Sequence, residues 1–278
     1  MENTSVNVTN IVEIRCSYMH NKSIIFFDID GTLLDHNKEL PKTAEQAIFS
    51  LKEQGHEVAI ATGRAPFMFE DLRKQLDIDT YVSFNGQYVV LRGEAIYTNP
   101  MNSESLSDLT QVALSNEHAI VYMDHENMRA NVPDDEYVAK TINTFKSQIV
   151  PTHDPLYYKG RDIYQSLLMC RPEEESFYEN VFHAFDFVRW HLNAVDVVPA
   201  GGSKAKGIRH IIDKLGIAPE YQYAFGDALN DIEMLSMIPN SVAMGNAIPE
   251  AKNAAKYVTK AVDEDGILHG LRMVGLLD

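Results

Sequence analysis

The sequence predicts an α/β fold, a Rossmann-like parallel sheet interrupted by an inserted α+β unit. Three observations carry that prediction. Between Ile24 and Phe84, short β-branched and aromatic runs alternate with amphipathic helical stretches across brief connections, the pattern of right-handed βαβ units. The alternation resumes after Gly201. Between these halves the strands pair up at hairpin spacing instead, the mark of a separate unit with an antiparallel sheet.

The first strand, Ile24-Ile25-Phe26-Phe27, is apolar throughout and reads as buried. It stops at Asp28-Ile29-Asp30-Gly31-Thr32. Pro41 opens a helix whose Ala44, Ala47, Ile48 and Leu51 fall at i, i+3, i+4 and i+7, and Gly55 ends it. Strand Glu57–Ala61 follows and stops at Thr62-Gly63-Arg64. A helix from Phe67 to Leu76 leads to strand Thr80–Phe84, which stops at Asn85-Gly86.

The inserted unit is expected to open with a hairpin, Tyr88–Leu91 and Ala95–Thr98, turning at Arg92-Gly93. Helices are expected within it at Ser105–Ser115, Asp135–Phe145 and Glu173–Ala184. Its strands are Ala119–Met123, Met128–Asn131, Ile163–Cys170, Phe187–Leu192 and Val195–Val198. After Gly201 come a helix at Lys204–Leu215, a strand at Gln222–Phe225, a helix from Leu229, a strand at Ser241–Met244, and helices after Pro249 and Gly266. The expected organisation is a poorly ordered extension over 1–22, a core over 23–87 and 193–278, and an inserted cap over 88–192.

Composition narrows the function. The chain has 278 residues, 45% apolar and 23% charged, enough to bury a large core. Its formal net charge of −16 argues against nucleic acid or an anionic membrane surface as the main partner. No apolar run approaches the roughly 18 residues of a membrane span. Residues 1–22 lack the basic start and apolar stretch of a signal peptide, and Met19 offers an alternative start. Cys16 and Cys170 lie far apart, outside any metal-ligand spacing, and read as reduced thiols of a cytoplasmic protein. The histidines form no HxH or HExxH group.

The chemistry sits where strands end. Paired carboxylates such as Asp28 and Asp30 repel unless one is protonated or a cation lies nearby, so they point to a divalent metal, a carboxylate nucleophile, or both. Taken alone, Asp-x-Asp-Gly is also a plain N-cap and turn. Thr62-Gly63-Arg64 alone is an ordinary strand-to-helix turn, and a lysine after Gly-Gly-Ser is ordinarily solvated. Parallel strands share a carboxyl edge, however, where open α/β sheets bind ligands. That edge can gather Asp28, Asp30, Thr62, Lys204, Asp227, Asn230 and Asp231, the set that phosphoryl transfer through an acyl-phosphate requires. Asp28 is then the nucleophile and Asp30 the acid that becomes the base. Mg²⁺ would be held by Asp28, the Asp30 carbonyl and Asp227. The Thr62 hydroxyl and the Gly63 and Ile29 amides would hold phosphoryl oxygens, and Lys204 would offset transition-state charge. Asn230 would orient the phosphate, and Asp231 would fix Lys204 or a metal-bound water.

DIDGTLLD, ATGR, GGSKAKGI, GDALND and AMGNA, in this order, resemble the haloacid dehalogenase (HAD) superfamily, and the position of the insert resembles its Cof-type phosphatase branch. The resemblance runs from about Ser23 to the C-terminus and implies a HAD fold with a cap over the active site. It matches Asp28 to the nucleophile, Asp30 to the acid/base, Thr62 to the second-motif hydroxyl, Lys204 to the third-motif lysine and Asp227 to the metal aspartate. Asn230 matches a phosphate-contacting position, Asp231 its acidic neighbour, and Asn85-Gly86 the Asn-Gly beside the cap hinge. One departure is Ala205, where the branch has glycine, with Lys206 close by; Lys204 is chosen because it opens the helix, while Lys206 is turned about two hundred degrees away.

The expected activity is Mg²⁺-dependent hydrolysis of small phosphate monoesters, with sugar phosphates or coenzyme phosphates as substrates. The alternatives are a sugar phosphomutase and a catalytically silent phosphate-binding module. In the cap, His125, Arg129, Tyr164 and Arg189 could face the crevice, although each also reads as a surface or packing residue. Hinges are expected near Gly86 and Pro199–Gly202.

Overall fold

The computed structural model describes residues 22–144 and 149–278. The expectations for residues 1–21, Cys16 and Met19 included, and for Phe145 lie outside them. The larger sheet has eight strands. At its centre is β1 (Ile24–Phe27), between β2 (Glu57–Ala61) on one side and β12 (Gln222–Gly226) on the other. β3 (Tyr81–Ser83) extends the β2 side, and β13 (Asn240–Ala243) and β14 (Tyr257–Val258) extend the other, all parallel. The apolar run of β1 is completely buried, as a central strand covered on both faces must be.

Helices α1 (Lys42–Glu53), α2 (Glu70–Leu76), α6 (Lys204–Leu215), α7 (Ile232–Met237), α8 (Pro249–Ala254) and α9 (Gly266–Met273) flank this sheet. In α1 the buried side chains are Ala44, Ala47, Ile48 and Leu51, the expected stripe. These join Ile25, Phe27 and Leu271 in one apolar layer, while Phe26, Val82, Ile208 and Ile211 form the layer on the opposite face. Among the described residues no helix is long and apolar enough to cross a membrane.

The expected boundaries of the insert need correction. The hairpin β4 (Tyr88–Leu91) and β5 (Glu94–Thr98) pairs antiparallel onto β3 and belongs to the large sheet. The reason is burial: Val89 packs with Val82, Ile208 and Ile211 beneath α6, a layer that Ile96 and Tyr97 extend. Among the described residues, Tyr88 is the one aromatic or aliphatic side chain of the hairpin that turns to the second unit, where it packs with His125 and Tyr164. At the other end, β10 (Phe185–His191) pairs with β11 (Ala194–Pro199) from Phe185↔Pro199 onward, so the second unit runs to Pro199 rather than 192.

That second unit is a six-stranded sheet ordered β10, β11, β9 (Gln165–Leu168), β6 (Ile120–Met123), β7 (Met128–Ala130), β8 (Thr152–His153). Its pairings are antiparallel except β7 with β8, a short strand that the sequence did not announce. Helices α3 (Ser103–Ser115), α4 (Glu136–Asn143) and α5 (Pro172–Val181) complete it. Side chains of α3 and α5 join one apolar layer with Tyr122 and Val195, whereas those of α4 join another with Val121 and Met123.

Candidate active site

Register builds the site. Phe27 lies opposite both Phe225 of β12 and Ile60 of β2. One residue further on, Asp28 therefore leaves the sheet level with Gly226 and Ala61, and Asp227 and Thr62 follow at the same edge. Gly31 must be glycine: its φ is +82°, and a Cβ there would lie 2.3 Å from Asp227 Oδ2. Thr32 donates its hydroxyl to Asp227 Oδ1 at 3.0 Å, and Asn246 of the AMGNA motif donates to the Gly31 carbonyl at 2.8 Å. The loop carrying both first-motif aspartates is thus tied to two later motifs.

Lys204 is 1% exposed at the start of α6 and reaches Asp28 Oδ1 at 2.5 Å and Asp231 Oδ1 at 2.7 Å. Lys206 turns instead to the Gly201 carbonyl. The helix start is pressed against the site because Gly86, φ +100°, lets Ser203 approach; a Cβ at Gly86 would sit 2.1 Å from the Ser203 carbonyl. Asp231 Oδ2 accepts the N–H groups of Asp227 and Ala228 at 2.9 and 3.0 Å, so that carboxylate is fully engaged in holding Lys204 and the GDALND turn.

Thr62 is buried, and its Oγ1 accepts the Arg64 N–H at 3.1 Å, leaving its own proton to donate. Asn230 donates to Asn85 Oδ1 at 3.1 Å, and Gly63 lies against the Asn85 amide. The Ile29 side chain is buried in the apolar layer, so only its backbone faces chemistry. Asp28, Asp30, Thr62, Gly63, Asn85 and Asn230 all line one crevice of about 650 Å³, roofed by the six-stranded sheet.

Two partners of Asp30 were missed from sequence. Arg64 clasps it through both Nε (2.7 Å to Oδ2) and a terminal nitrogen (2.6 Å to Oδ1), and Lys38 reaches Oδ1 at 2.5 Å. Arg64 closes the ATGR motif and could have been found there. Lys38 sits in a loop with no pattern, at φ +66°. Burial works to raise the Asp30 pKa, but Arg64 and Lys38 together hold it below the ordinary carboxylate range.

The other acids respond oppositely. Burial, with the charges of Asp231, Asp227 and Asp30, holds Asp28 above the usual range against the pull of Lys204. Burial and then Asp231 push Asp227 to about 6. Burial works against the charge on Lys204, yet Asp231 and Asp28 keep it well above an ordinary lysine. Asp28, Asp227 and Asp231 bring carboxylate oxygens within 4.8 Å of one another. Asp231 spends its oxygens on Lys204 and two amides, whereas among the described residues nothing donates to Oδ2 of Asp28 or of Asp227. Hard oxygen donors with unbalanced charge fit Mg²⁺. The Asp30 carboxylate is committed elsewhere, which leaves its carbonyl as its only contribution to an ion.

The four cap candidates do other work. Arg189 binds Glu175 at 2.5 Å and the carbonyls of Cys170 and His191, at the crevice wall. Arg129 lies over the Tyr157 ring, and His125 and Tyr164 pack with Tyr88.

A family model described as haloacid dehalogenase-like hydrolase matches residues 25–271. YkrA of Bacillus subtilis (strain 168), which bears a provisional phosphatase name, is 43% identical over 257 residues, 92% of this chain and 99% of its own. A crystal structure of a hypothetical protein from Geobacillus kaustophilus HTA426 has a TM-score of 0.89 at 54% identity, covering 92% of this chain and 100% of that one. A HAD subclass IIB sugar phosphatase superposes with a TM-score of 0.80 at 29% identity, with coverage of 92% and 100%.

Proposed function

The chain belongs to the haloacid dehalogenase-like hydrolases as a phosphoric monoester hydrolase, and from that premise we propose that it cleaves small phosphate monoesters with Mg²⁺ through an aspartyl-phosphate on Asp28. One observation carries the reading: Asp28 is buried at the sheet edge with one oxygen fixed by Lys204 at 2.5 Å and the other uncommitted. That is a nucleophile with a single orientation, and orientation is a large part of what catalysis needs.

A carboxylate oxygen of Asp28 attacks phosphorus, the P–O bond to the leaving group breaks, and Asp30 delivers a proton to the departing oxygen. Asp30 then takes a proton from the water that attacks the aspartyl-phosphate, releasing inorganic phosphate and restoring Asp28. Thr62 donates its hydroxyl to a phosphoryl oxygen, the Gly63 and Ile29 amides serve the others, and Asn85 and Asn230 orient the group. Lys204 offsets charge that builds at the reacting centre. Asp28, Asp227 and the Asp30 carbonyl would hold Mg²⁺, which would supply the positive charge that lets a carboxylate approach an anionic ester. Arg64 and Lys38 favour the ionised Asp30, the base of the second half. For the first half they must loosen, and an incoming phosphate dianion competes for both.

The substrate is a small phosphorylated metabolite, a sugar or coenzyme phosphate met in the cytoplasm, rather than nucleic acid or membrane lipid. Release of inorganic phosphate from p-nitrophenyl phosphate by the wild type, abolished in Asp28→Asn with an unchanged circular dichroism spectrum, tests the proposal. Equal release by both proteins would refute it. A phosphomutase would return the phosphoryl group to a second sugar hydroxyl rather than to water.

A further inference from the structure

Just past β3 the backbone leaves its ordinary range. Phe84 and Asn85 both stand at φ +50°, and Gly86 follows at +100°. Glycine takes such angles freely and asparagine tolerates them. A bulky phenylalanine in the left-handed region is an outlier, and it persists only where its surroundings over-determine it.

The turn places a chemical group. The Phe84 and Asn85 N–H groups donate to the carbonyls of Arg64 (3.2 Å) and Thr62 (3.1 Å), which lays the end of the third strand along the ATGR motif. The Asn85 amide thereby lies against Gly63, where a Cβ would sit 3.0 Å from Nδ2, and its Oδ1 accepts the Asn230 amide at 3.1 Å. Successive side chains of extended backbone point to opposite sides, so a Phe84 relaxed into the β region would swing Asn85 off both neighbours.

What grips Phe84 comes from the other unit. Its ring is completely buried and stacks on Tyr164, with centroids 5.8 Å apart and planes 24° from parallel. It joins Met123 and Leu167 in the apolar layer of the six-stranded sheet. Tyr164 is fixed in turn, edge-on to Tyr88 at 5.1 Å and hydrogen-bonded to the Thr98 side chain. Asn85 lines the crevice; Tyr164 is not among the described residues that do.

Resting on the phosphatase reading above, we propose that Tyr164 is a positioning residue for the phosphate site: by clamping the Phe84 ring, the cap keeps the Phe84-Asn85 turn left-handed and so holds the Asn85 amide where it orients the phosphoryl group. Removing the clamp lets the strained turn relax, and Asn85 withdraws. Phosphate affinity thus depends on a ring contact between the two units that phosphate itself never reaches.

Inorganic phosphate tests this, because it has no leaving group, and a residue that only holds the cap over one would not change its binding. In isothermal titrations with Mg²⁺ present, Tyr164→Leu is expected to raise the phosphate Kd about tenfold, the scale of one hydrogen bond to a charged group. Tyr164→Phe, which keeps the ring, should stay within about twofold of wild type on the same scale. Asn85→Ala should raise Kd by about as much as Tyr164→Leu, and the double variant should be no worse than Asn85→Ala alone, since one substitution acts through the other. Should Tyr164→Leu fail to fold, Phe84→Leu removes the opposite ring and is expected to give the same rise. An unchanged Kd in the folded leucine variant, or losses that add in the double variant, would overturn the inference while leaving the phosphatase reading intact. A wild-type Kd in Asn85→Ala would remove Asn85 from the phosphate site and this inference with it. Absence of both phosphate binding and p-nitrophenyl phosphate hydrolysis in the wild type would sink the phosphatase reading first.

Discussion

Replacing Lys204 by methionine removes the single cation buried between Asp28 and Asp231 while keeping side-chain length. The charge pairs are 2.5 and 2.7 Å long. At an effective dielectric of about 20, each attracts by roughly 6 kcal/mol before desolvation is counted. Much of that offsets the cost of burying the ions, so the attraction is not the measured effect. What methionine leaves behind is two buried carboxylates with no counter-ion, Asp231 keeping only the Asp227 and Ala228 N–H groups, and breaking a buried pair in that way costs about 3–5 kcal/mol. For a chain of this size that lowers Tm by roughly 6–20 °C. The loss should shrink as pH falls, because Asp28 already sits above the usual carboxylate range and protonation removes the uncompensated charge. Millimolar Mg²⁺ should recover more of the Tm in the variant than it adds to the wild type, since Asp28 and Asp227 are the acids with uncommitted oxygens. Differential scanning calorimetry at pH 7.5 and pH 5, with and without Mg²⁺, reads all three effects. A variant melting within about 1 °C of wild type at pH 7.5 would show that Lys204 is not the counter-ion of this cluster.

Three other perturbations probe separate parts of the site. Arg64→Met removes the stronger of the two influences holding the Asp30 pKa down, so the alkaline limb of the pH–kcat/KM profile, where the acid of the first half loses its proton, should move to higher pH; an unmoved limb would mean that Asp30 does not set it. Burial raises Asp196 to about 7, so the folded form holds a proton that the unfolded chain gives up near pH 4. Between those values the folded state binds more protons, stability falls as pH rises, and Asp196→Asn should raise Tm at pH 8 while changing it little at pH 4. Equal shifts at both pH values would contradict the assignment. Gly31→Ala forces a Cβ to within 2.3 Å of Asp227 Oδ2 at a φ of +82°, and should lower stability by about 1 kcal/mol or more and phosphate release by a larger factor; a neutral result in urea denaturation and activity would refute the close packing of the two motifs.

The parallel core was legible because its signals are local and redundant. The β1 run is apolar on both faces, α1 carries its stripe at helical spacing, and both end at punctuation that the structure uses. The strand-end residues were legible for a topological reason: once the strands are parallel, their carboxyl ends must share an edge. The hairpin 88–98 was misassigned because a β-turn reports where a chain reverses but not which sheet it rejoins; that is decided by Val89 meeting Ile208, far away in sequence. The strand Thr152–His153 escaped because two residues, both exposed, carry no periodicity. Lys38 was invisible for a similar reason, since a loop lysine acquires meaning only when Asp30 is found 2.5 Å from it.

Charge explains why such a site needs every one of these groups. The chain carries a net −16, and its reactive edge gathers Asp28, Asp30, Asp227 and Asp231 against Lys38, Arg64 and Lys204. Four carboxylates facing three cations leave the edge negative before any phosphate arrives. A phosphate dianion placed 4 Å from one uncompensated charge is repelled by several kcal/mol at an effective dielectric of about 20, enough to prevent binding at metabolite concentrations. A divalent cation reverses the sign of the edge, and Asp227, held near 6 by burial and Asp231, is the carboxylate whose ionisation such a cation would complete. Mg²⁺ should therefore lower the apparent pKa of that acid, and phosphate should bind measurably only in its presence. Isothermal titration of phosphate into the metal-stripped protein should give no heat of binding, and the same titration with Mg²⁺ should give a saturating one. Equal phosphate affinity in both would mean that the cations already on the chain suffice, and the charge argument would fail.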